Sequence, residues 1–208
     1  MRVLIACEYS GITRDAFTRF GWDAWSCDLL PTESPGNHVQ GDVTPLLTQG
    51  WDLLIGHPPC TYLSNAGSEH FRDKRIDGYA QAEVSGQARW LAMHEGCAFF
   101  NLLWTAPVPR IAIENPIPMP EARVLVGNYS QVIHPWQFGH NLKKPTCLWL
   151  KNLPLLEPTF IRKDRNAFID KIGGADRKKR RAKSFTGIAD AMAAQWTLAF
   201  LDSPSLVQ

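Results

Sequence analysis

The chain has 208 residues, 45% of them hydrophobic and 20% charged, with a net charge of +2. That length suits a single α/β domain with a sizeable core and is short for two. No apolar run approaches the roughly 20 residues needed to cross a bilayer, and the first one meets Glu8 too soon for a signal-peptide core, so the expectation is a cytoplasmic protein with no membrane partner.

Strand candidates alternate with helical stretches, the pattern of a mostly parallel sheet with helices on both faces. The first strand is Val3 to Cys7, followed by a turn at Tyr9-Ser10-Gly11 and a helix from Thr13 to Phe20 that ends at Gly21. Asp23 to Cys27 is the second strand, closed by Asp28. Gly41-Asp42-Val43 follows a loop rich in Pro, Ser and Gly as the third, with a short helix at Leu46 to Gln49, and Leu53 to Gly56 is the fourth. Thr61 to Tyr79 lacks periodicity and reads as a mobile loop. A long helix is expected from about Gln81 to Trp104, with Ala88, Leu91, Ala92, Glu95, Ala98, Phe99 and Leu102 at helical spacing. Arg110 to Ile113 is a fifth strand. Val132-Ile133 and Cys147 to Leu150 suggest a β-ribbon at the sheet edge, and Ile188 to Leu201 a closing helix. The eight tryptophans read as core residues rather than as a base-stacking surface.

Pro58-Pro59-Cys60-Thr61 is the most informative segment. It holds a thiol on a stiff turn just after a strand, and open α/β sheets bind ligands beyond the carboxyl ends of their strands. Arg110 to Ile113 delivers Glu114 and Asn115 to the same edge, so a nucleophile and a carboxylate could face one substrate. The other cysteines, Cys7, Cys27, Cys97 and Cys147, read as small buried hydrophobes. Five cysteines with no CxxC pair argue against a disulfide framework and a structural zinc site. His57, His70 and His134 show no metal-ligand spacing, and no metal is expected.

The first turn, Glu8-Tyr9-Ser10-Gly11, could bind a ligand's polar groups through its backbone N–H groups. Asp28 stands where an acid can accept hydrogen bonds from ribose hydroxyls, and Asp42 could take an adenine amino group; both also suit simple turn and cap positions. Between Arg162 and Lys183 ten basic residues stand against three aspartates, a local +7, which leaves −5 for the rest. Such a segment is either a solvated loop or a contact for a polyanion.

These residues, in this order, resemble the cytosine-5 DNA methyltransferases. Glu8 to Gly11 stands at the family's glycine-rich first motif, Asp28 and Asp42 at its adenosine-contacting acids, Pro59-Cys60 at its Pro-Cys motif and Glu114-Asn115 at its Glu-Asn motif. Gln137 to Leu150, with Lys143-Lys144-Pro145-Thr146, is similar to its late motif, and Gly187 to Met192 to its last. The resemblance implies an α/β, Rossmann-like S-adenosylmethionine-dependent methyltransferase fold over residues 1–208 as one catalytic domain. It implies a cofactor site of Glu8, Tyr9, Ser10, Gly11, Asp28, Asp42 and Pro58, and a catalytic set of Cys60, Glu114 and Lys144. In that chemistry the thiolate adds to carbon 6 of cytosine and the carboxyl group assists at N3.

The family's glycines are reduced here to Gly11, Thr61 follows Pro-Cys in place of the common Gln, and Pro116 follows Glu-Asn. In place of a target-recognition domain stands a basic insertion at about 160–184, whose Arg177, Lys178, Lys179, Arg180 and Arg181 would hold phosphates without reading bases. His70, Arg72, Lys74 and Arg75 are further candidate phosphate contacts. So compact a chain looks like a phage or mobile-element product, acting in a bacterial host's cytoplasm. DNA is the expected partner. RNA or a free pyrimidine nucleotide would suit the missing recognition domain, and the single glycine leaves open a non-catalytic module that binds nucleic acid or protein.

Overall fold

The computed structural model describes residues 1–66, 86–164, 167–168 and 183–202. Its main sheet has seven strands: β1 (Arg2–Ala6), β2 (Asp23–Asp28), β3 (His38–Gln40), β4 (Leu53–Gly56), β5 (Arg110–Pro116), β6 (Gln131–Ile133) and β8 (Thr146–Lys151). They lie in the order β3-β2-β1-β4-β5-β8-β6. The first five run parallel, and β8 is antiparallel to both β5 and β6. Two short strands, β7 (Leu142–Lys143) and β9 (Ala167–Phe168), pair separately. The helices are α1 (Ile12–Arg19), α2 (Gly86–Trp104), α3 (Pro120–Val126) and α4 (Thr186–Leu201). This is the α/β, Rossmann-like architecture expected for a methyltransferase fold.

Side chains along β1 alternate between two apolar clusters, as the two-residue period of a strand requires. Leu4 and Ala6 join Met93, Cys97 and Phe100 of α2 and Ala122 of α3 on one face. Val3 and Ile5 join Phe17 of α1 and Ala193 and Trp196 of α4 on the other. The near-continuous apolar runs of β1 and β4 reflect burial on both faces. A left-handed Gly11 precedes α1, and Pro120, whose missing N–H would be unpaired at a helix start in any case, begins α3. The Trp22 indole N–H donates to Thr197 Oγ1 at 2.8 Å, locking the end of α1 to α4.

Several sequence expectations are corrected. Strand β3 precedes Gly41 rather than containing it: Asp42 Oδ1 accepts from both the N–H and the hydroxyl of Thr44, turning the chain into a 3-10 turn at Thr44–Leu46 instead of a helix at Leu46 to Gln49. Cys7 is not a strand residue and is only half-buried; its left-handed φ of 60° ends β1 at Ala6. On α2 the buried face is Arg89, Met93, Cys97, Phe100 and Leu103, whereas Ala88, Leu91, Ala98 and Leu102 face outward. The helix is apolar on more than one side, so periodicity alone did not fix its phase. The start expected at Gln81 lies outside the described residues. The expected β-ribbon at the sheet edge is present: β6 and β8 pair antiparallel at the end of the sheet, with β8 joining the ribbon to β5. The segment after Cys60 is anchored at its start: Leu63 is buried and Ser64 bridges to Pro118. Its remainder, with His70, Arg72, Lys74 and Arg75, lies outside the described residues, as do Arg177 to Arg181. Four tryptophans, Trp22, Trp51, Trp149 and Trp196, are buried, and the other four are half-buried.

Candidate active site

Strand order reverses between β1 and β4, where the chain crosses from one half of the sheet to the other, and the carboxyl ends of those strands open the crevice in which such sheets bind ligands. Two turns meet there, Cys7 to Gly11 after β1 and His57 to Cys60 after β4. The His57 N–H donates to Ala6 O at 2.9 Å and ties them together.

The register of β4 and β5 determines what lies side by side. Gly56 is paired with Ile113, so the next positions are His57 beside Glu114 and Pro58 beside Asn115. His57 Nδ1 lies 3.1 Å from Glu114 Oε2, with side chains only 11% and 20% exposed. The Asn115 side-chain amide donates to Pro58 O at 2.9 Å. Cys60, half-buried, follows on the same turn, and its carbonyl accepts from the N–H groups of Leu63 and Ser64.

Glu114 continues the alternation of β5 past Ala112 onto the face of α1 and α4, where a small cleft, partly open to solvent, is lined by His57, Glu114, Lys144, Thr146, Lys183 and Ile188. Burial alone would raise the Glu114 pKa, but the hydrogen bond from His57, the charge of Lys144 and a hydrogen bond from Thr146 outweigh it and hold the carboxyl below its usual range. For His57 burial alone would favour the neutral ring. The hydrogen bond and charge of Glu114, with the charge of Glu8, overcome burial and the opposing Lys144, so its pKa lies above the ordinary value. Each shift favours the charged form of its own group, carboxylate on Glu114 and imidazolium on His57. The Lys144 ammonium lies 5.5 Å from the Phe185 ring centroid, at the entry to α4.

The other side of the crevice is acidic. Glu8 is buried; its Oε1 accepts from Thr13 N at 2.6 Å and from the Ser10 hydroxyl at 3.2 Å, and its Oε2 from Arg14 N at 3.1 Å. A carboxylate thus already occupies the start of α1, the position that takes the pyrophosphate in dinucleotide-binding sheets. Asp28 accepts from Leu30 N, and Asp42 from Thr44. Both charges reach Cys7, whose thiol is pushed up to about 12, first by burial and then by Asp28, Cys27 and Asp42. Tyr9 and Ser10 are buried in the turn.

Gly11 has a φ of 75°, and a Cβ there would lie 2.5 Å from Arg14 Nη2. The glycine makes room for a buried guanidinium that donates to Ser26 Oγ, Thr32 Oγ1, Ser34 O and Pro35 O. Arg14 therefore holds the loop after β2 over α1. That loop is also fastened by the 2.5 Å ion pair of Glu33 with Lys183.

The structure thus separates the sequence-predicted residues into two groups. Cys60, Pro58, Glu114 and Lys144 lie on the β4–β5 side, and Glu8, Tyr9, Ser10, Gly11, Asp28 and Asp42 on the β1–β2 side. His57 stands between the groups and was missed, although its place directly before Pro58-Pro59-Cys60 was a signal. Arg14, Thr146 and Lys183 were also missed as parts of the site. His134 stacks on Trp136, and among the described residues no group of three His, Cys, Asp or Glu side chains could hold a metal ion. Nor is any described helix long and apolar enough to cross a membrane.

No protein-family model and no curated protein matches the chain. Solved structures do. One, described as a DNA modification methyltransferase encoded within an E. coli prophage, is 17% identical over 79% of this chain and 53% of its own, with a TM-score of 0.47. The S. pombe Dnmt2 methyltransferase is 16% identical over 72% of this chain and 48% of its own, with a TM-score of 0.42. The chain spans about half the length of these structures.

Proposed function

We propose that the chain transfers a methyl group from S-adenosylmethionine to carbon 5 of cytosine in DNA through a covalent Cys60 adduct. The observation that carries this reading is the Asn115–Pro58 hydrogen bond, which fastens the cysteine turn to the strand end bearing Glu114.

The acidic side of the crevice suits the cofactor. With Glu8 at the start of α1 and Asp28 and Asp42 beside it, the site disfavours a pyrophosphate and favours a cationic ligand rich in hydrogen-bond donors. When bound, S-adenosylmethionine would supply an electrophilic methyl group. Asp28 would take the ribose hydroxyls and Asp42 the adenine amino group, while Tyr9, Ser10, Gly11 and Pro58 shape the walls.

Carbon 5 of cytosine is a poor nucleophile until a thiolate adds to carbon 6. Cys60 makes that bond, and electron density moves through the ring to N3, where Glu114 provides the proton and holds the adjoining amino group. Carbon 5 then takes the methyl group, loses its proton, and Cys60 departs. Lys144 favours the anionic stages. A base in duplex DNA would have to leave the stack first, at a cost of a few kcal/mol. Residues 1–208 would act as one catalytic domain, with Arg177, Lys178, Lys179, Arg180 and Arg181 gripping phosphates.

The test is incubation with labelled S-adenosylmethionine and, separately, duplex DNA, RNA or dCMP, followed by mass spectrometry of the methylated base. The expected result is 5-methylcytosine in DNA, abolished by Cys60→Ala. Label in RNA or nucleotide would move the substrate class, and transfer that survives Cys60→Ala would remove the mechanism.

A further inference from the structure

Beyond the pair of Cys60 and Glu114, and resting on the function proposed for them, we infer that His57 is the positioning residue that stores the proton Glu114 delivers to N3 of the base. A carboxylate can assist at N3 only if a proton is at hand, and a lone carboxyl group is ionised near neutrality. Here the proton resides next door. Glu114 Oε2 can only accept while the carboxylate is ionised, so the Nδ1 that faces it at 3.1 Å carries hydrogen. The backbone that carries the ring is held on either side, by the His57 main-chain N–H donating to Ala6 O and by the Asn115–Pro58 bond at the next residue. The ring itself is held by its burial and by the contact of Nδ1 with Glu114.

The second ring nitrogen supplies an independent observation. His57 Nε2 is buried and has no hydrogen-bond partner among the described residues, although His57 lines the cleft. A buried polar atom left unpaired is costly, and at a cleft it marks the place of a water or ligand atom. One nitrogen that hands a proton to Glu114 and another that meets water form a relay. The charged groups that act on the ring are Glu114 from β5, Glu8 from the turn after β1 and Lys144 from the segment after β7, with Lys183 lining the same cleft.

The proton balance closes. As the Cys60 thiolate, its proton already given up to water, bonds to carbon 6, N3 takes a proton from Glu114, and Glu114 takes the Nδ1 proton of His57, which becomes neutral. When the carbon 5 proton has left to water and the carbon–sulfur bond breaks, the N3 proton returns to the pair. The pair therefore carries one proton at rest and ends with one.

The experiment measures methyl transfer to DNA, together with release of tritium from carbon 5 of cytosine, across pH 5.5 to 9 for the wild-type chain, His57→Asn and Cys60→Ala. His57→Asn is expected to lose about 100-fold in kcat at neutral pH with KM for DNA little changed, and to regain activity toward acid, where Glu114 can hold its own proton. A His57→Asn chain with the wild-type pH profile and kcat within twofold would overturn the inference while leaving the proposed function intact. A wild-type chain inactive in both assays, or activity that survives Cys60→Ala, would sink the function and the inference with it. Should His57→Asn not fold, ring-nitrogen NMR decides: the His57 titration is expected to fall in Glu114→Gln, and an unmoved titration overturns the relay.

Discussion

The side-chain amide of Asn115 donates to the carbonyl of Pro58 at 2.9 Å, across two strands whose residues are 57 positions apart in the chain. The bond is buried and it fixes the turn that carries Cys60 relative to Glu114. Asn115→Leu keeps the volume but leaves the Pro58 carbonyl unpaired, at a cost of about 1–3 kcal/mol. We expect a modest fall in the urea midpoint and a much larger loss of methyl transfer, of order 100-fold, because a displacement of about 1 Å is felt at the reacting atoms. Equal, small effects on both would speak against a positioning role.

Among the described residues Gly187 is the tightest glycine. A Cβ there would lie 1.9 Å from Phe138 O and 3.2 Å from His140 Nε2. Neither can retreat easily, since Phe138 O is backbone and His140 Nε2 accepts the Gly187 N–H at 3.1 Å. Gly187→Ala should therefore displace the start of α4 and destabilise the chain by about 2 kcal/mol. Calorimetry is expected to register a drop in Tm of roughly 4–8 °C.

Arg14 is 1% exposed, yet its guanidinium satisfies the Ser26 hydroxyl of β2 and, in the loop that follows, the Thr32 hydroxyl and two backbone carbonyls. Arg14→Met fills similar space without those donors, leaves the Pro35 carbonyl unpaired and leaves Ser34 O only the Thr32 hydroxyl. We expect a loss of about 3 kcal/mol, measured as a lower urea midpoint at unchanged slope. If the midpoint hardly moves, the loop is held by its own turns.

The His57–Glu114 pair predicts a peaked pH dependence. Glu114 is depressed below its ordinary 4.5, so its contribution to stability is full above that pH and disappears as pH falls through the folded value. His57 is raised above 6.5, so its contribution is full below that pH and disappears as pH rises through the folded value. The stability difference between wild type and Glu114→Gln should thus be largest near about pH 5.5 and shrink by about pH 9. Denaturation at a series of pH values tests this, and a difference that does not vary between the two would count against the ion pair.

The parallel half of the sheet was legible because β1, β4 and β5 are short apolar runs buried on both faces, a pattern that survives without knowledge of neighbours. Strand β3 was not, since His38-Val39-Gln40 has no apolar signature and is a strand only because β2 offers it partners. The phase of α2 was hidden for the opposite reason, too many apolar residues: Leu91 is 62% exposed on the same helix that buries Met93.

At the site, the order of Cys60, Glu114 and the acids could be read along the chain, but pairings across strands could not. His57 was passed over because a histidine takes its meaning from its neighbour, and that neighbour is supplied by strand register. Arg14 was invisible for a related reason. In sequence it is one more charge on an amphipathic helix, and only the loop folded over it makes it a buried anchor.

The setting of the cysteines has a practical consequence for labelling the protein. Burial and nearby carboxylates push the Cys7 thiol up to about 12 and the Cys27 thiol up to about 11. Burial likewise lifts Cys97, and burial with Glu114 lifts Cys147 to about 12. Thiolates do the reacting with soft electrophiles, so the raised pKa slows each of these four sulfurs at neutral pH. Cys60, half-buried on its turn, is left as the preferred point of attachment, and a single-equivalent alkylating probe should tag the proposed nucleophile without any engineered cysteine background.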